Sequence, residues 1–417
     1  MDYFQMICGK NPQKVALVVD GVPYCYGELA SRAAALGEQW EQKKRFREVR
    51  VIKEKDILSQ LTSFLACHAT GEIPLLVPYD NRNFENGEHL VNTVVPENAC
   101  MAVATSGTTG VPKIYFRSYE SWAGYFDIQN DIFQVAEDSC LFVQGSIAFT
   151  GNLNLYMAQF YAGGTIVAEN TFQPKRWETR IRAEGVNMIY LIPAKLMLLP
   201  GLVHQENRNI RMILSGSQSL GREDAEQLKK IFPNTHIILY YGASELNYIT
   251  YVTDENMTDD KNLIGKPFPQ VEVSVQNNEI FVHTAYHVEG IRCPYSLCDR
   301  GRIDDEGNIY FLGRKDDLLN VRGRKVSALR IENILKALPE VQEAAVILEH
   351  NEIGRQEQLV AYIVPRQTGA ARLSEKICQK LRKSLEHYEM PRRIYPVEKL
   401  PKNESGKVDK KRLNVLQ

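Results

Sequence analysis

Hydrophobic and polar positions switch repeatedly between a two-residue and a helical period along this chain. Met101–Thr105 and Ile114–Arg117 are short apolar runs that read as strands on either side of a Gly-rich stretch. Ile210–Leu214 and His236–Tyr241 read as buried strands with a helical segment, Arg222–Ile231, between them. Val271–Gln276 and Glu279–His283 flank Asn277-Asn278, a hairpin signal. Gly301–Asp304 and Ile309–Leu312 flank a second turn at Asp305-Glu306-Gly307-Asn308. The pattern changes near Gly313. The tail that follows predicts a helix over Ala328–Leu338, strands over Ala344–Leu348 and Gln358–Val364, and a helix over Ser374–Tyr388. The expectation is an α/β fold: a large multi-subdomain N-terminal body over residues 1–313 and a small α+β C-terminal domain over 314–417. The charged junction Gly313-Arg314-Lys315-Asp316-Asp317 reads as a hinge.

Composition changes this picture little. The chain has 417 residues, 44% hydrophobic and 24% charged, enough for a large core. Fifty basic and 51 acidic side chains nearly cancel, so no chain-wide attraction to nucleic acid or anionic membrane is indicated. The N-terminus lacks the pattern of a secretory signal. The most apolar long stretch, Met188–Val203, is interrupted by Pro193, Lys195, Pro200 and Gly201, and predicts no membrane span. Eight scattered cysteines form no zinc spacing, and read as reduced thiols of a cytoplasmic protein.

Candidate chemistry starts in the Gly-rich stretch, Thr105-Ser106-Gly107-Thr108-Thr109-Gly110-Val111-Pro112-Lys113. Its glycines allow close approach by a ligand, its hydroxyls supply donors, and successive backbone N–H groups can form a concave anion site. Lys113 adds a point charge. These features suit a polyphosphate. The segment is no Walker A loop, because Ile114 follows the lysine and strands flank it on both sides. The nonapeptide resembles the phosphate-binding signature of the adenylate-forming superfamily: acyl- and aryl-CoA synthetases, peptide-synthetase adenylation domains and beetle luciferases.

Further motifs follow in that superfamily's order. Tyr240-Tyr241-Gly242-Ala243-Ser244-Glu245 is similar to its YGxTE motif, with Ser244 in place of the usual Thr. The resemblance implies that Tyr241 stacks on adenine and that Glu245 is the metal ligand. Ser215-Gly216-Ser217-Gln218 is similar to a turn beside the adenine and acyl sites. Asp299 matches the Asp of a TGD motif that holds ribose, although Cys298 stands where Gly is usual. Arg314 and Asp316 match a GRxDD junction, implying a nucleotide contact and the pivot of a mobile small domain. Gly323 falls where a pantetheine arm passes, and Lys407 matches the catalytic lysine of a P-x-x-x-S-G-K terminus. Singly, each motif also reads as a turn or a solvated surface segment, and for Tyr240–Glu245 and Lys407 that reading is the stronger; together and in order they are specific. The resemblance spans about Pro23 to Lys407.

The resemblance implies ATP-dependent activation of a carboxylic acid to an acyl-adenylate, with Mg²⁺, followed by transfer to the thiol of CoA. Two alternatives stay open: loading of a carrier protein's phosphopantetheine, and a silent nucleotide- or acyl-binding module. The acid is not legible. Phe149, Thr150 and Asn152, with Tyr156 and Leu191, are pocket candidates, and ordinary core is an equal reading of them. Thr150 stands where amino-acid-activating members carry Asp and many CoA ligases carry His. An α-amino acid is therefore the less expected substrate. Tyr24-Cys25-Tyr26-Gly27-Glu28-Leu29 resembles the superfamily's opening helix. Only about seventy-five residues then precede the phosphate loop, which predicts a trimmed first subdomain.

Overall fold

The computed structural model describes residues 2–40, 47–79, 94–105, 113–314, 318–321, 324–351, 356–366, 373–382, 384–402 and 408–413. The chain folds into two compact units, one of Met1–Val273 with Val282–Tyr295, the other of Ser274–Phe281 with Ser296–Gln417.

The first unit carries a mostly parallel sheet. Parallel pairs link Val15–Val19 to Thr165–Glu169, then Cys140–Gln144, Met188–Tyr190, Met212–Gly216 and His236–Ala243. Parallel strands with both faces covered need apolar side chains on both sides. Val143, Ile189, Ile213 and Leu214 accordingly have no exposed surface. Antiparallel strands Asn247–Thr253 and Leu263–Pro267 extend one edge, and Val22–Cys25 closes the other. The helix Thr150–Ala162 is buried from Asn152 to Phe160, so it behaves as a core element rather than an amphipathic surface helix. A second sheet, Val49–Ile52, Ile73–Leu76, Ala99–Thr105 and Lys113–Ser118, is parallel except for its last pair. The expected opening helix runs Tyr26–Trp40, started by the Glu28 carboxylate accepting from the Cys25 N–H at 2.7 Å.

In the second unit, Val341–Asn351, Gln356–Pro365 and Arg393–Pro396 form a sheet buried on both faces. Alternation sorts the side chains: Ala344, Val346, Ala361 and Ile363 face the helices Ala328–Lys336 and Leu373–Leu381, while Ala345, Ile347, Val360 and Tyr362 pack with Leu400 and Leu413. The expected helix through Tyr388 ends at Leu381 instead. Ser384 and Leu385 both donate back to the Leu381 carbonyl, and a separate turn at His387–Glu389 forms before Pro391 can extend any helix. The Arg393–Pro396 strand, unmarked in the sequence pattern, pairs parallel to its neighbour.

Both expected hairpins form. Asn277 and Asn278 take φ of 52° and 61°, the left-handed pair that a tight hairpin turn requires. In the other, the Asp304 carboxylate accepts from the N–H groups of Glu306 and Asn308, and Gly307 supplies φ of 80°. The eight cysteines are all unpaired thiols. Among the described residues no helix is long and apolar enough to cross a membrane.

Candidate active site

The strands on either side of the phosphate-loop candidate pair antiparallel. Thr105 pairs with Lys113, at the facing ends of Ala99–Thr105 and Lys113–Ser118, and Lys113 is exposed. Ser106, Gly107, Thr108, Thr109 and Gly110 lie outside the described residues.

The Tyr241–Glu245 motif is a second hairpin end. His236–Ala243 and Asn247–Thr253 pair antiparallel, with Ala243 opposite Asn247 and a register shift at Tyr241/Gly242. Gly242 is demanded by close approach: a Cβ there would lie 2.6 Å from the Asn247 carbonyl oxygen. Tyr241, Ser244 and Glu245 are half-buried. The upstream turn meets the same strand. A Cβ on Gly216 would press into the Tyr240 ring at 2.8 Å, Ser217 takes φ of 69°, and Ser215 Oγ donates to the Leu191 carbonyl.

What joins these pieces is Arg117, which the sequence did not single out. It is fully buried on the strand leaving the phosphate loop. Its Nη2 and Nε donate to the Ser244 carbonyl at 2.8 and 3.3 Å. Its Nη1 reaches the Ser121 hydroxyl at 3.1 Å and the Tyr286 carbonyl at 3.2 Å. Burial pulls its pKa down to about 10, while Tyr3, Cys100 and Glu245 raise it, so it stays cationic at neutral pH. The Val288 N–H donates to the Glu245 carbonyl at 2.9 Å and fixes the other side of the turn. Tyr115, two residues before Arg117, has its phenol pushed up to about 12 by burial and by the Tyr295 hydrogen bond, with Glu245 adding to the shift. Charge at Glu245 is thus felt along this strand.

Thr150 opens the buried helix, and its Oγ1 lies 2.6 Å from Ser244 Oγ. Two of the three positions at which the chain departs from the superfamily pattern, Thr150 and Ser244, are therefore hydrogen-bonded to each other. Phe149 precedes the helix, and Asn152 Nδ2 donates to the Ser146 carbonyl at 2.9 Å. Tyr156 and Leu191 are fully buried core side chains.

In the second unit, Asp299 and Arg314 face each other on paired strands. Arg314 Nε lies 3.3 Å from Asp299 Oδ1, with Asp299 buried and Arg314 about half-exposed. Cys298 holds φ of 60°, a left-handed backbone that explains why glycine suits this place. Asp316, Gly323 and Lys407 lie outside the described residues. Among the described residues, Leu318–Val321 pairs antiparallel with Arg324–Ser327, and Lys402 forms a bridge with Val408.

Comparison with known proteins agrees with this architecture. The AMP-binding enzyme family matches residues 37–285, and the AMP-binding enzyme C-terminal domain matches 330–407. An uncharacterized acyl--CoA ligase, YhfT, of Bacillus subtilis is 25% identical over 338 residues, covering 77% of this chain and 69% of its own. A D-alanine--D-alanyl carrier protein ligase of Lactococcus lactis is 25% identical over 343 residues, covering 75% and 68%. The O-succinylbenzoate coenzyme A synthetase MenE of Bacillus subtilis in complex with AMP shares the fold at a TM-score of 0.82 and 18% identity, over 99% of this chain and 98% of its own. The chain belongs to the AMP-binding enzyme family, within the adenylate-forming superfamily.

Proposed function

We propose that the protein activates a carboxylic acid with ATP, releases pyrophosphate, and passes the acyl group of the resulting adenylate to the thiol of CoA. The observation that carries this reading is the Arg117 bond to Ser244, which couples the strand leaving the phosphate loop to the turn bearing Glu245. A carboxylate is already ionised at neutral pH, so attack on the α-phosphorus needs no general base. The work left to the protein is positioning and charge stabilisation.

In this reading Thr105–Lys113 cradles the β- and γ-phosphates, Tyr241 stacks on adenine, and Asp299 and Arg314 hold ribose. The half-buried Glu245 carboxylate would suit Mg²⁺, which keeps several waters and takes one or two carboxylates plus phosphate oxygens. Bound at Glu245, it supplies positive charge against the triphosphate. Lys407 stabilises charge growing on the α-phosphate, and a turn about Asp316 then replaces it with the Gly323 loop for the thiol step. The likeness to the Lactococcus lactis carrier-protein ligase supports a second acceptor, a carrier's phosphopantetheine.

ATP–pyrophosphate exchange across aryl, aliphatic and amino acids tests the first half-reaction. Exchange is expected with one acid class, and none with any acid would favour a silent binding module. Lys407→Ala is expected to slow adenylation by about two to three orders of magnitude while a preformed acyl-adenylate still reacts with thiol. Equal loss of both half-reactions would contradict the assignment. Thioester formation on free CoA against a holo-carrier separates the two acceptors.

A further inference from the structure

Lys195 lies on the short helix Pro193–Leu196, and its Nζ donates to the Gln144 carbonyl at 3.2 Å. An ammonium has three donors, and among the described residues this is its one hydrogen bond. Burial alone pulls its pKa down to about 8, with no charged partner among the causes. A half-buried cation without a carboxylate is costly unless a ligand completes it.

Gly145 faces the Lys195 ammonium. Gly145 takes φ of 121°, a conformation that excludes other residues, so no side chain enters there. A Cβ placed on Gly145 would find Asn152 Nδ2 at 3.5 Å and Lys195 Nζ at 3.6 Å. Adjacent residues aside, no other described heavy atom comes within 4 Å of that point. Asn152 has given one amide hydrogen to the Ser146 carbonyl and keeps a second. One cationic and one neutral donor therefore converge on a spot left open by a glycine. Asn152 lies on the helix that Thr150 opens, and the Thr150 hydroxyl touches Ser244.

Tyrosine hydroxyls neighbour the same helix. Tyr240 donates to the Tyr190 hydroxyl at 3.0 Å, and a Cβ on Gly151 would meet both hydroxyls at 3.4 Å. Tyr248 donates to Asn154 at 3.0 Å. The rings of Tyr190, Tyr240 and Tyr248 pack against one another beside this helix.

We propose that Lys195 and Asn152, across Gly145, bind the distal carboxylate of a short dicarboxylic acid whose other carboxylate is adenylated. The proposal rests on the adenylation reading above. One ammonium and one amide donor match the single charge and two oxygens of a carboxylate, whereas a phosphate dianion calls for more donors.

The test is a ladder from malonate to adipate against monocarboxylic acids of equal length, in wild type and Lys195→Met, which keeps the aliphatic stem. In exchange assays the wild type is expected to favour a diacid by about tenfold or more in kcat/KM, and the variant to lose about tenfold of that ratio. An unchanged ratio, a long fatty acid as best substrate, or a KM for ATP raised equally with every acid would overturn it, the last by making Lys195 a nucleotide contact. A second readout needs no turnover: acetylation of Lys195 by an amine-directed reagent, followed by mass spectrometry. A diacid is expected to slow this labelling by about fivefold or more, and its monoacid counterpart to leave it unchanged. Absence of exchange with any acid sinks the adenylation reading alone; equal labelling with both acids sinks the subsite.

Discussion

Arg117 and Lys195 are two cations withdrawn from water in the same unit, and they are held in opposite ways. Arg117 is wholly enclosed, yet its guanidinium is met by the carbonyls of Ser244 and Tyr286 and the Ser121 hydroxyl. Lys195 is less buried and meets one carbonyl. The rigid, five-donor fork of arginine can fix several backbone segments at once, which suits a permanent strut. The compact ammonium of lysine, poorly satisfied and easily shifted in pKa, suits a group that waits for a ligand. The difference separates a residue that builds the adenylation turn from one that reads the substrate.

Arg117→Leu breaks the comparison most severely. It leaves the Ser244 and Tyr286 carbonyls without their donor, at about 1–3 kcal/mol for each buried group. The expected loss is about 3 kcal/mol in urea unfolding, with a raised KM for ATP in the folded fraction. Arg117→Lys is expected to rescue little, since an ammonium cannot span the same acceptors. Full rescue by lysine would show that charge alone matters.

Lys195→Met is expected to do the reverse and stabilise the protein near neutral pH, by an amount on the order of 2 kcal/mol or less. The sign follows from linkage. The folded pKa of about 8 lies below the ordinary lysine value, so the unfolded chain holds more protons between about pH 8 and 10.4. Wild-type stability therefore rises with pH across that window, and the advantage of the variant shrinks. Thermal unfolding of both proteins from pH 7 to 10 measures it; a pH-independent gap would mean that Lys195 carries no burial penalty.

The smallest effect is expected at the seam between the two regions. Thr150→Val removes the hydroxyl that meets Ser244 and is expected to cost about 1 kcal/mol. Its KM for the acid should rise more than its KM for ATP, because Thr150 opens the helix that carries Asn152. Equal changes in both would place Thr150 wholly within the nucleotide turn.

Much of this site could be read from local pattern. The loop before Lys113 was bracketed by two apolar runs, and both are strands of one hairpin. Arg222–Ile231 is a helix with the predicted ends, begun by the Asp224 carboxylate accepting from the Gly221 N–H. Asn277-Asn278 marked its turn because asparagine tolerates left-handed backbone. Arg117 and Lys195 stayed hidden for the opposite reason. Arginine in a strand and lysine in an apolar stretch read as solvated charges, and their burial depends on Ser244, Tyr286, Gln144 and Asn152, all distant in sequence.

The sequence by itself determined the family, the order of its motifs and the α/β character, because glycine, hydroxyl and turn requirements are short-range and leave fixed spacings. Only the tertiary structure decided which departures from the pattern touch one another, as Thr150 and Ser244 do, and which charges are enclosed. Those outcomes depend on the packing of strands and helices far apart along the chain, where burial sets both the cost of a charge and the partners it can find.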